Sequence, residues 1–163
     1  MMQVKQVDGG NVGKGGLGKD GLGKDGSRPR LWVAVLDSGE EVRSTLIDFA
    51  RREKVQAASF VALGAFKRAV IAYFDFVQKK YKPIPVEEQV EVVTLAGDMV
   101  RDEKDEPDLH AHAVLGLPDG STRGGHLLEG HVRPTLEVTI TETPGHLVRR
   151  KRPELGIALI DLG

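Results

Sequence analysis

An α+β domain, with one main helix packed on a mostly antiparallel sheet, is the architecture this chain points to. Three observations carry it. A single span, 38–54, repeats its apolar residues at helical spacing, while the other apolar stretches have the length and alternation of strands. A tight-turn tetrapeptide, "LPDG" at 117–120, joins two of those strands as a hairpin. At 163 residues and 40% hydrophobic content, the chain has material for one domain with its own core.

Taken in order, residues 1–29 read as a flexible Gly/Lys-rich arm and 30–163 as the folded domain. The segment "GGNVGKGGLGKDGLGKDG" (9–26) buries too little to offset its chain entropy, and it repeats Gly-Leu-Gly-Lys-Asp at 16–20 and 21–25. Gly13, Gly18 and Lys19 match phosphate-loop spacing, but Asp20 replaces the magnesium-binding Ser or Thr and no strand precedes the segment, so a nucleotide loop is rejected. "LWVAVLD" (31–37) is a buried-strand run. "SGEEVRSTLIDFARREK" (38–54) turns Val42, Leu46, Phe49 and Ala50 to one helix face, and Ser38 with Glu41 predicts a capping box at its start. Strands are then expected at roughly 57–63, 65–75, 89–100, 109–116, 124–131, 135–142 and 155–162. The charged "VRDEKDEPD" (100–108) reads as a loop leading into His110.

Composition excludes several functions. There is no cysteine, hence no disulfide, thiolate metal site or cysteine nucleophile, and any metal must be held by imidazole and carboxylate. No apolar run is long enough for a membrane span or resembles a secretory signal, so the expected location is cytoplasmic. Residues 1–30 carry six basic and three acidic side chains, leaving seventeen basic and twenty-one acidic for the rest. A mildly acidic body lacks the clustered Lys and Arg that give affinity for a phosphate backbone. The run "RRKRP" (149–153) is the one local exception, and such a run is more often a solvated loop.

The chemistry concentrates in "HAHAVLGLPDGSTRGGHL" (110–127), which holds three of the five histidines. On a strand, His110 and His112 face the same way with Cα atoms about 6–7 Å apart. The turn at 118–120 returns His126 alongside them, and Gly124-Gly125 lets the backbones approach. Three neutral imidazoles with a fourth position left to water make up an open zinc-type site. His131 would face the other side of a regular strand, and His146 falls in a loop where it is solvated. Asp108, Glu129 and Glu137 are the carboxylates nearest in sequence that could orient the imidazoles, although each is individually more ordinary as a surface group.

Five blocks resemble the plants-and-prokaryotes conserved (PPC) domain, in the family's order across about 30–163: "GAFKRAVIAYFD" (64–75), "EQVEVVTLAGD" (88–98), "LHAHAVLG" (109–116), "GGHLLEG" (124–130) and "TLEVTITE" (135–142). The resemblance implies an antiparallel sheet with a packed helix, assembly as a homotrimer, and a metal site, usually described as zinc, at His110, His112 and His126. It also implies possible DNA or partner binding. In plant members the DNA contact is attributed to a separate AT-hook with an Arg-Gly-Arg-Pro core; "GSRPR" (26–30) lacks the glycine between arginines, although three arms on a trimer would add avidity for a polyanion.

Three functions stay open on the sequence. The chain is a trimeric divalent-metal-binding module acting through DNA or a protein partner. Alternatively it is a metal-dependent enzyme of hydrolase or lyase type acting on a small molecule at the histidines, with Glu129 or Glu137 as acid/base and Arg68 as an anion clamp. Or the metal only locks a scaffold.

Overall fold

The computed structural model describes residues 1–7, 30–143 and 147–162. Nine strands and one helix are present among them: β1 (Gln3–Val7), β2 (Leu31–Asp37), α1 (Val42–Arg52), β3 (Ala57–Asp75), β4 (Lys80–Val86), β5 (Val90–Asp102), β6 (Pro107–Gly116), β7 (Thr122–Glu142), β8 (Val148–Arg152) and β9 (Ile157–Asp161). They form one sheet, and every ladder is antiparallel except the short β5–β8 pairing. Strands β3, β5, β6 and β7 pair in a closed ring, since β6 bonds both β5 and β7 while β3 bonds both β5 and β7. Closure removes the free edges that these central strands would otherwise present.

Period-two patterning decides which side of each strand enters the core. On β2, Trp32, Ala34 and Leu36 are buried; on β7, Leu136, Val138 and Ile140 are buried while Glu137 and Thr139 point outward. The helix adds Val42, Leu46, Phe49 and Ala50, the face its spacing predicts, and packs on β6 and β7. Trp32 meets Phe49 edge-on with ring centroids 5.4 Å apart.

Several boundaries differ from the sequence reading. The helix starts at Val42 rather than at Ser38: Glu41 is itself the N-cap, accepting from the backbone N–H of Arg43 at 3.0 Å and of Ser44 at 2.8 Å. Residues 38–40 are used in a turn whose Gly39 N–H bonds Val132 O at 2.9 Å, so they are unavailable to the helix. The expected pairs of strands at 57–63 and 65–75, and at 124–131 and 135–142, are two long single strands. Their pairing slips between Gly64↔Leu136 and Phe66↔Val132, which leaves Pro134, lacking an N–H, in the irregular part of the ladder. Gly64 permits the slip, because a Cβ there would lie 2.3 Å from Thr135 O.

β4 is absent from the sequence reading, and it contains Pro83 and Pro85, residues disfavoured inside a sheet. It survives by pairing only with β3, so the missing N–H groups fall on a solvent-facing edge. The basic run 149–152, expected in a loop, is strand β8. Gln3–Val7, assigned to the arm by its sequence, is β1, antiparallel to β2 with Val7 opposite Leu31. The rest of that arm, residues 8–29, and His146 lie outside the described residues.

Candidate metal centre

His110 and His112 occur on β6, one strand period apart, and His126 is the direct cross-strand partner of His112 on β7. The turn between the strands is the predicted one: Gly120 N–H bonds Leu117 O at 2.9 Å, and Gly120 has φ +81°. Close packing holds the second strand in place. A Cβ on Gly125 would come within 2.6 Å of Ala72 O on β3, so only glycine lets β7 approach β3 beside His126.

One ring nitrogen from each histidine lies within 4.8 Å of those of the other two. Ring centroids are 5.1 Å apart for His110 and His112, 5.0 Å for His110 and His126, and 5.4 Å for His112 and His126. Burial lowers the pKa of His112, helped by the charge of His110. Burial likewise pushes His126 down to about 4, with His110 and His112 adding to the effect. Both rings are therefore neutral at physiological pH and keep a lone pair free. His126 Nδ1 is buried and has no hydrogen-bond partner among the described residues. A buried, unpaired nitrogen beside two other imidazoles is costly in an empty pocket and fits a divalent ion well. The donor set thus suits a metal held by His110, His112 and His126.

Behind the triad lies a charged layer that the sequence did not reveal. Asp98 of β5 is the register partner of His110, with its Oδ2 3.8 Å from His110 Nδ1. The side chain of Arg149, 5% exposed, reaches from β8 to pair with Asp98 and stands 3.3 Å from Asp108 Oδ2. Burial pushes the Asp98 carboxyl upward, but the facing His110 and the Arg149 guanidinium outweigh it and hold the group below its ordinary range. At 3.8 Å Asp98 lies beyond hydrogen-bond distance of His110 Nδ1 and acts on that ring through its charge. Tyr81 of β4 stacks on His126 with ring centroids 4.4 Å apart.

The other sequence candidates are placed elsewhere. Asp108 lies near the triad through Arg149. Glu129 instead binds His131 and pairs with Arg68 at 3.0 Å, and Arg68 Nη2 is 2.7 Å from His131 Nε2. This cluster is separate from the three histidines, so neither Glu129 as acid/base nor Arg68 as a clamp is positioned at the candidate ion. Glu137 is exposed, in register with Val35 and Leu63. Period two alone would have found Asp98 only if the β5–β6 register were known, because nothing near it in sequence points to a histidine.

Comparison with known proteins agrees with this geometry. The profile described as the Plants and Prokaryotes Conserved (PCC) domain matches residues 23–144. Among solved structures, the plant- and prokaryote-conserved protein of Pyrococcus horikoshii is 32% identical with a TM-score of 0.76, the match covering 81% of this chain and 91% of that one. A proposed DNA-binding protein from Ralstonia eutropha JMP134 is 31% identical, with a TM-score of 0.75 over the same shares. A protein from Archaeoglobus fulgidus described as metal-containing is 29% identical with a TM-score of 0.74, covering 80% of this chain and 91% of that chain. No curated protein matches. With the profile spanning most of the chain and the fold shared along nearly the whole of these relatives, the chain belongs to the plants-and-prokaryotes conserved domain family.

Proposed function

We propose that this protein is a trimeric divalent-metal-binding member of its family, holding one ion per chain at His110, His112 and His126. The observation that carries the reading is the convergence of three ring nitrogens, each within 4.8 Å of the other two, with His126 Nδ1 left unpaired. Zinc is the first choice of ion, since it favours imidazole donors and an open fourth position, although imidazole also suits copper, nickel and iron. A bound ion would retain its full charge among neutral ligands and would supply Lewis acidity to a water or carbonyl group. Asp98 sets a negative charge beside His110, Arg149 pairs with Asp98, and Tyr81 stacks on His126. Metal analysis of purified protein is expected to give close to one ion per chain, and His112→Ala to fall to a small fraction of that while keeping its fold by circular dichroism. Equal metal in both proteins would exclude the three-histidine centre.

Trimer formation is part of the proposal. Val61 and Leu63 on β3 are 57% and 62% exposed, and Val33 on β2 lies across Thr139 from Val61, so exposed apolar side chains gather around Thr139 on the outer face of the sheet. Apolar surface of this kind is where subunits associate. No described helix is long and apolar enough to cross a membrane, and a cytoplasmic location accompanies this reading.

DNA binding is a second reading, favoured by the description of the Ralstonia relative. The basic run of β8 offers it little, because Arg149 pairs with Asp98 and Asp108 while Arg150 and Arg152 share Asp161. Fluorescence anisotropy with duplex DNA across a salt series tests it; affinity that falls linearly with salt on logarithmic axes supports phosphate contact, and no affinity near physiological salt removes it.

A further inference from the structure

A cavity of about 550 Å³ opens beside the triad, between β4, the start of α1 and the β8–β9 hairpin. Its lining includes His110 and His126 of the triad, Tyr81, and the cations Arg43, Lys151 and Arg152. The volume falls within the usual range for a small-molecule site, in which a few fixed polar groups set what can bind. We propose that this cavity binds a small organic molecule carrying an oxyanion, a carboxylate or a phosphate, with Arg43 and Lys151 as its charge partners.

The argument is one of unbalanced charge. Arg43, Arg149, Lys151 and Arg152 line the cavity with a single carboxylate, Asp108. Arg149 is already committed to Asp98 and Asp108, and Arg152 lies 3.5 Å from Asp161. Arg43 donates one hydrogen bond, to Leu127 O at 3.2 Å, and forms no ion pair among the described residues. Lys151 has none either and acts on Asp102 only at longer range. Two cations without counter-charges in a concave wall focus a positive field into the cavity, and the missing partner is an anion. A guanidinium with free N–H groups is matched to the paired oxygens of a carboxylate or phosphate.

The surroundings are built rather than incidental. Arg43 is set in place twice: its helix begins on the Glu41 cap, which also accepts from Gly130 N–H at 3.3 Å, and its own side chain binds the β7 backbone. Tyr81 adds a phenol, a hydrogen-bond donor, to the lining of the same cavity. The β8–β9 hairpin joins β5 through only two residue pairs, Arg101↔Val148 and Asp102↔Arg149, yet stands over the cavity with the buried Arg149 as its anchor. Its turn touches the β3–β4 turn so closely that a Cβ at Gly156 would lie 2.7 Å from Lys79 Cβ. The hairpin over the cavity is thus packed against a neighbouring turn.

The proposal goes beyond the metal reading and needs only the cationic wall, so the two fail separately. The test is isothermal titration calorimetry of the full chain with malonate and, in a second series, inorganic phosphate, using metal-loaded and chelator-treated protein. Binding of either probe is expected, with Lys151→Gln and Arg43→Gln each weakening it at least tenfold and metal content unchanged. The probe that binds more tightly identifies the oxyanion. Arg133→Gln, on a different cavity, is expected to leave binding unaltered. Lys151 is exposed, so its variant stays informative if Arg43→Gln fails to fold. Retention of probe binding after chelation, with loss in Lys151→Gln, supports the proposal even if no metal is found. Wild-type affinity in Lys151→Gln, or no binding of either probe, overturns it.

Discussion

Glu129 illustrates how a single residue can be given a role by its neighbours. It binds His131 and pairs with Arg68, and these contacts, the His131 hydrogen bond first, hold its pKa below the ordinary value of 4.5. A carboxylate whose folded pKa is depressed adds stability above its unfolded pKa and loses it as the pH falls through the folded value. Urea midpoints of the wild type and Glu129→Gln are therefore expected to differ at pH 7 and to converge below about pH 4.5; a gap independent of pH would show that the pair contributes nothing through its charge. At this scale the clustering of His110, His112 and His126 was legible, because period two and one readable turn are local rules. Asp98 and Arg149 were not. They are 51 residues apart and meet only because β8 pairs with β5, a non-local fact that no window of sequence contains.

At the scale of elements, the long strands depend on one irregularity. Gly64 sits with φ +152° where β7 slips in register, and a methyl group there would meet Thr135 O at 2.3 Å. Gly64→Ala is expected to destabilise the domain by about 2 kcal/mol or more, measured by chemical denaturation, because backbone rather than a flexible side chain must move. In sequence the glycine reads as the end of a strand; in the structure the same residue keeps the strand continuous. The helix was legible from its apolar face, but its start was not. Glu41, the far half of the predicted capping box, is instead the cap, since residues 38–40 had a competing partner in Val132. β4 was hidden by its prolines, which are unfavourable in a central strand and tolerated on an edge.

For the whole molecule, the exposed Val33, Val61 and Leu63 are the apolar surface on which the proposed trimer would rest. Leu63→Glu places a charge beside Glu137, its register neighbour, so if the chain assembles as proposed this variant is expected to run as a monomer where the wild type runs as a trimer, by size-exclusion chromatography with light scattering. An equal mass for wild type and variant would overturn this surface as the interface, and a monomeric wild type would overturn the trimer itself. The fold class was readable from the strand-rich pattern, yet the closed ring of β3, β5, β6 and β7 was not, since closure depends on β6 having two partners. The first strand has a different kind of consequence. Because Gln3–Val7 pairs with Leu31–Val35, the edge of β2 is covered by a strand of the same chain, and the backbone groups there are no longer offered to a strand from another molecule.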